Sequence, residues 1–188
     1  MIPRTLALVL LLTLFSLPNP TTANIPLTVS LTLPHAILPP GVPLSLTAAT
    51  TNPSTTPVTL LTWSTPLDPL SAVLGIYTLT DLTTHSEVDT HLVSIRRAMP
   101  PPAEDFVQID PGHSVSVEAE FSRIELVAGH EYEVKAEGWW GVVWVGEREG
   151  VLADEAKAER LEGGMNGGFE SEGVVFSVVG TSLSANTA

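Results

Sequence analysis

From Ile25 to Leu33 the chain reads IPLTVSLTL, and apolar and polar residues alternate there without a miss. A period of two sends successive side chains to opposite faces, which is the pattern of a strand with one buried face and one wet face. No other feature restricts the fold as much, because the same period returns along the chain. Leu44, Leu46 and Ala48 mark a second strand after the break at Pro39-Pro40-Gly41, and Val58, Leu60 and Trp63 mark a third. Ile76 to Leu79 and Val93 to Ile95 predict two more, followed by a short edge strand from Phe106 to Ile109. After a turn at Pro111-Gly112, Val115, Val117, Ala119 and Phe121 oppose Ser114, Ser116, Glu118 and Glu120. Tyr132, Val134 and Ala136 repeat the alternation, Trp139 to Val145 is apolar on both faces, and Val174 to Val179 closes the series.

Short strands between turn signals, with almost no helical periodicity, predict an all-β fold. The expected architecture is an antiparallel, immunoglobulin-like β-sandwich of about 7–9 strands. At most one short surface helix is expected, over Leu152 to Leu161, because that stretch lacks a continuous apolar face. The glycine-rich, acidic run from Glu162 to Gly173 predicts a mobile loop between the last two strands.

The N-terminus has the order of a secretory leader. Arg4 supplies a positive charge, Thr5 to Leu17 is apolar, and small residues follow to Ala23. The apolar run of about 13 residues is short of the ~20 a spanning helix needs. The expected organisation is a signal peptide over 1–23, a β-sandwich over 24–180 and a frayed tail over 181–188. The expected location is extracellular, with no membrane contact after cleavage.

Secreted domains usually carry disulfides, yet this chain has no cysteine. Its core must therefore hold it together, which is feasible at this size because a domain of ~150 residues buries about 70% of its extended-chain surface. Thiol catalysis and thiolate metal sites are excluded. Asn52-Pro53-Ser54 has a glycosylation outline that its proline disqualifies. The net charge of −13 is placed unevenly, with no carboxylate before Asp68 and a crowd of them after Glu118. Repulsion argues against nucleic acid and anionic membrane as partners, and it permits a basic protein.

No arrangement of catalytic residues emerges, and no cofactor is implied. Gly129-His130-Glu131 opens like a zinc-protease helix, but Val134 stands where the second histidine is needed and the segment alternates like a strand. His85, Glu87, Asp89 and His91 would share one face of a strand and are weak metal candidates, set against a hairpin tip at Thr83 to Ser86. Trp139, Trp140 and Trp144 offer an aromatic binding platform, against the commoner use of such rings as core filling. No Gly-x-Ser-x-Gly elbow and no phosphate-cradling glycine loop is present.

Read in order, LLTWSTPLD, IYTLTD, VSIRRAMPPPAEDFVQIDPGHSVSVEAEF and AGHEYEVKAEG resemble the N-terminal pro-domain of the deuterolysin-type fungal zinc metallopeptidases. That family carries a Thr-Pro-Leu-Asp turn, matched here by Thr65, Pro66, Leu67 and Asp68. It also carries an Ile-Arg-Arg segment, matched by Ile95, Arg96 and Arg97, and a Pro-Gly turn into a strand, matched by Pro111 and Gly112. The resemblance spans roughly Ile25 to Gly138 and implies the companion fold of a peptidase. The arginines are expected to pair with carboxylates or cap a turn. Family members continue into a catalytic domain with a His-Glu-x-x-His helix, and this sequence has none.

Three functional readings follow. The first is a non-catalytic binding protein whose partner is the catalytic domain of a secreted metallopeptidase, which it would inhibit or chaperone. The second is the pro-region of a peptidase whose catalytic part lies elsewhere. The third is a cell-wall module that binds carbohydrate through the tryptophans.

Overall fold

The computed structural model describes residues 25–180. The expected leader over 1–23 and tail over 181–188 lie outside the described residues. Eleven strands run in chain order as β1 (Thr28–Thr32), β2 (Ile37–Leu38), β3 (Leu44–Thr51), β4 (Val58–Leu61), β5 (Tyr77–Asp81), β6 (Ser86–Glu87), β7 (Phe106–Ile109), β8 (Ser114–Phe121), β9 (Glu131–Val145), β10 (Met165–Glu170) and β11 (Val174–Val178). Among the described residues two short helices, α1 (Arg148–Leu152) and α2 (Glu155–Ala158), follow β9.

The strands form two sheets. The smaller has the antiparallel order β1-β3-β8. The larger is built on β9, whose first half lies between β11 and β5 and whose second half lies between β10 and β4. β7 extends it beyond β4, β6 beyond β5, and β2 runs parallel to β11.

The alternating residues turn inward as their period requires. Leu31, Leu46, Ala48 and Phe121 of the smaller sheet join Leu60, Leu79, Val134, Trp140 and Phe176 of the larger in one core cluster. Each such side chain removed from water is worth about 1.5–3 kcal/mol. Tyr77 and Phe121 bridge the sheets edge to face, with ring centroids 5.6 Å apart. Near the start of β9, the Tyr132 hydroxyl accepts a hydrogen bond from the Val127 amide at 2.7 Å, five residues upstream. That is the arrangement of the tyrosine corner found in sandwiches of this kind.

A second cluster of Leu61, Phe106, Val142, Trp144 and Val151 forms where α1 covers the larger sheet. The apolar character of Trp139 to Val145 on both faces follows from this double covering. Between the register pairs Gly167↔Trp140 and Met165↔Val143, β9 carries one residue more than β10. This bulge reverses the alternation. Trp140 and Val143 consequently join the main core, while Val142 and Trp144 join the second cluster.

Four expectations are corrected. Val93 to Ile95 is not a strand but part of an irregular, exposed segment. Trp63 lies beyond the end of β4. The helical stretch is two one-turn helices rather than one. The glycine-rich run is no loop, because its centre is β10, paired with β9 from Met165 to Glu170. Close packing bears on Gly164 within the run and on Gly138 of β9 beside it. Phe169 lies so near Gly138 that a Cβ there would meet the ring at 2.8 Å, and a Cβ on Gly164 would meet Val142 at 2.0 Å.

Candidate functional site

The Thr-Pro-Leu-Asp turn and the second arginine of the pair, Arg97, about thirty residues apart in sequence, are brought together. Thr65, Pro66, Leu67 and Asp68 are all buried. The Thr65 hydroxyl donates to the Thr62 carbonyl at 2.6 Å and accepts from the Leu67 amide at 3.2 Å, which closes the turn. Asp68 accepts from the amides of Ser64 at 2.9 Å and Leu70 at 3.0 Å, and its Oδ2 pairs with the Arg97 guanidinium. A fully buried carboxylate needs this many partners, since an unpaired one would be prohibitively costly. The Arg97 guanidinium also stacks 5.4 Å from the Trp63 ring centroid, and the Trp63 Nε1 donates to Asp105 at 2.5 Å. Arg96 is exposed, and Ile95 is 39% exposed.

This staple fixes the C-terminal end of a chain segment that has no regular structure from Val88 to Ala98. Val88 packs against the main core, while Leu92, 63% exposed, Val93, 47%, and the following Met99, 56%, turn outward. The Val93 amide donates to the Val73 carbonyl at 2.9 Å, a second anchor.

Pro111 and Gly112 are the middle of a turn closed by the His113 amide on the Asp110 carbonyl at 3.0 Å, and Gly112 and His113 together form a glycine-type bulge opposite Asn52. Gly112 has φ +71° and donates to the Asn52 carbonyl at 2.8 Å, while the Asn52 amide donates to the His113 carbonyl at 3.0 Å. Only glycine adopts that φ readily. Asn52 is fully buried and its side-chain amide donates to the carbonyls of Thr56 and Ile109, both at 2.8 Å.

The proposed metal face of His85, Glu87, Asp89 and His91 does not form, because β6 covers only Ser86–Glu87. His85 and His91 have positive φ at turns, and the His91 amide donates to Asp89 at 2.8 Å in a local turn. Among the described residues no group of three or more histidines or carboxylates is placed to hold a metal ion. A cleft of about 400 Å³ does lie beside them, lined by Asp81, Glu87, Asp89, His91, Glu125 and Tyr132 among others.

At the rim of that cleft Asp81 is buried and hydrogen-bonded to His130 Nδ1 at 2.7 Å, and its other oxygen accepts from the amides of Thr83 at 2.8 Å and Thr84 at 3.1 Å. Burial works against its charge. The bonds from His130 and the Thr83–Thr84 turn outweigh burial and hold the carboxyl at about 2.

The tryptophan platform is also corrected. Trp140 and Trp144 are buried on opposite faces of the larger sheet, Trp144 donating to the Glu162 carbonyl at 3.0 Å, and only Trp139 is exposed, at 53%. One ring cannot form the continuous stacking surface that three would.

The Asp81–His130 pair and Asn52 carried no warning in the sequence beyond the histidine of a failed zinc-protease motif and a failed glycosylation outline. Each acts on residues more than forty positions away.

A family described as immunoglobulin-like domain matches this chain over residues 35–178. A protein of Arthroderma benhamiae named "Uncharacterized secreted protein" is 38% identical over 144 residues, which cover 75% of this chain and 71% of that protein. The tyrosine corner and the two-sheet topology agree with the family match.

Proposed function

Because the chain belongs to the immunoglobulin-like domain family, we propose that it is a secreted, non-catalytic domain that works by binding another protein. The leader pattern over 1–23 supports export, as does the name of the Arthroderma relative. The observation that carries binding is the segment from Val88 to Met99. The Arg97–Asp68 pair holds it in place while Leu92, Val93 and Met99 face solvent. The Arg97–Asp68 pair and the Val93–Val73 backbone bond restrain the segment ahead of association, which lowers the entropy lost on binding.

The partner in this reading is the catalytic domain of a deuterolysin-type metallopeptidase. What supports it is the order of the motifs at Thr65 to Asp68, Ile95 to Arg97 and Pro111-Gly112. The test mixes the purified full chain with such a peptidase and follows binding by calorimetry and activity by peptide hydrolysis. Binding weakened by Leu92→Ser with Val93→Ser is the expected result. Absence of both binding and inhibition would remove the peptidase from the reading.

A further inference from the structure

The smaller sheet ends on β8, and the hydrogen bonds of its neighbours determine which way each β8 amide points. In an antiparallel pair, directly opposed residues alternate between exchanging backbone bonds and exchanging none. Asn52 stands opposite His113 and bonds to it, and the register continues without a break from Thr51↔Ser114 to Leu44↔Phe121. Val115, Val117 and Ala119 therefore bond inward to β3, while Ser114, Ser116, Glu118 and Glu120 aim their backbone N–H and C=O outward. The close Thr51 Oγ1–Ser114 Oγ contact of 2.7 Å agrees, because non-bonded pairs bring side chains together. No described backbone group hydrogen-bonds to these four outward positions.

Proteins normally spoil such edges with proline, bulges or lysine. β8 contains none of these, and it is straight over eight register pairs. Its only charges are Glu118 and Glu120, both exposed and both on the face away from the core. Neither takes part in an ion pair among the described residues, and Glu118 accepts only from the Ser45 hydroxyl at 2.6 Å. At its far end β8 runs into a cleft of about 230 Å³, where Phe121 and Ser122 meet Thr90 and Val93 of the exposed apolar segment. The apolar segment thus borders the far end of the edge across that cleft.

We infer that β8 receives an extended, basic segment of the partner protein as a fourth strand of the smaller sheet. Its backbone pairs with Ser114, Ser116, Glu118 and Glu120, and its alternate lysine or arginine side chains face the two glutamates. This mode gives affinity through main-chain bonds and selectivity through alternate side chains. The chain's charge of −13 disfavours a second copy as occupant and favours a cationic one. The inference rests on the reading of the domain as a protein-binding module.

The probe is a ten-residue peptide alternating lysine and threonine, titrated into the full chain by calorimetry, with a glutamate–threonine peptide as its counterpart. Ser116→Pro removes one outward N–H, leaves the ladder to β3 intact and keeps every charge. The basic peptide should bind and the acidic one should not, and Ser116→Pro should weaken binding about tenfold. Exchange of the Ser114, Ser116 and Glu118 amides should slow when the peptide binds, while the Val115 and Val117 amides are protected already. Equal binding by the unaltered chain and a folded Ser116→Pro variant overturns the inference and leaves only diffuse charge attraction. Dimerisation of the free chain abolished by Ser116→Pro also overturns it, in favour of a second copy. Should melting show that Ser116→Pro alters the fold, a peptide N-methylated at alternate residues decides the matter in its place: undiminished binding overturns the inference. A peptidase that fails to bind while the peptide does removes the proposed partner and leaves the edge standing.

Discussion

Arg97 and Asp68 form a pair whose members are not interchangeable with their neighbours. Asp68 is wholly enclosed and satisfied by two amides and a guanidinium, so removing Arg97 leaves a buried charge. Arg97→Ala should lower unfolding free energy by about 3 kcal/mol, whereas Arg96→Ala, at an exposed position, should stay within about 0.5 kcal/mol. Urea titration of the two variants compares them directly, and equal effects would refute the staple. The Asp81–His130 pair gives a second prediction, in pH. Asp81 is held at about 2 against an ordinary 3.8. A carboxyl with a depressed folded-state value stabilises the fold above its unfolded value, and that contribution is lost as pH falls through the folded one. Stability should therefore drop between pH 3.8 and about 2, and Asp81→Asn should flatten that part of the profile while lowering stability near neutrality.

At the scale of elements, β10 is where local composition and structure part company. A run of glycines and carboxylates has little intrinsic preference for a strand. It becomes one because the bulged second half of β9 offers an unpaired edge, and because Phe169 packs on Trp140 with ring centroids 4.6 Å apart. Phe169 also covers Gly138, a contact that no larger residue at 138 would permit. Phe169→Ala should cost about 3 kcal/mol. Hydrogen exchange should show the Gly167 and Phe169 amides, which the alternation of the ladder aims at β9, protected in the unaltered chain; exchange as fast as in a free loop would contradict the pairing. The strands themselves were largely legible. β1, β3, β8 and the first half of β9 fall where alternation predicts them, since a half-buried strand writes its burial into every second residue. Val93 to Ile95 misled because its β-branched residues face a solvent-exposed surface rather than a sheet.

For the whole molecule, charge matters more than any single contact. With −13 overall and carboxylates concentrated after Glu118, the cationic partner proposed above would be steered in by long-range attraction. Its association rate should fall as salt rises from 20 to 300 mM, on the order of tenfold, with the dissociation rate changing far less. Stopped-flow mixing at several salt concentrations measures this; a rate insensitive to salt would place the binding energy in the apolar segment alone.

The sequence by itself determined the fold class, because a period of two and regularly spaced turn residues are local properties that survive whatever packs above them. It also marked the Thr65-to-Asp68 turn, Arg97 and Gly112 as positions of interest. What they do was decided by tertiary structure: Asp68 meets Arg97 across 29 residues, and Gly112 curves around Asn52 across 60. The tryptophans show the division most clearly. Straight alternation would put Trp140 and Trp144 on one face, and a single extra residue in β9 relative to β10 sends them to opposite faces. That residue count is a property of two strands paired over a distance, and neither strand contains it alone.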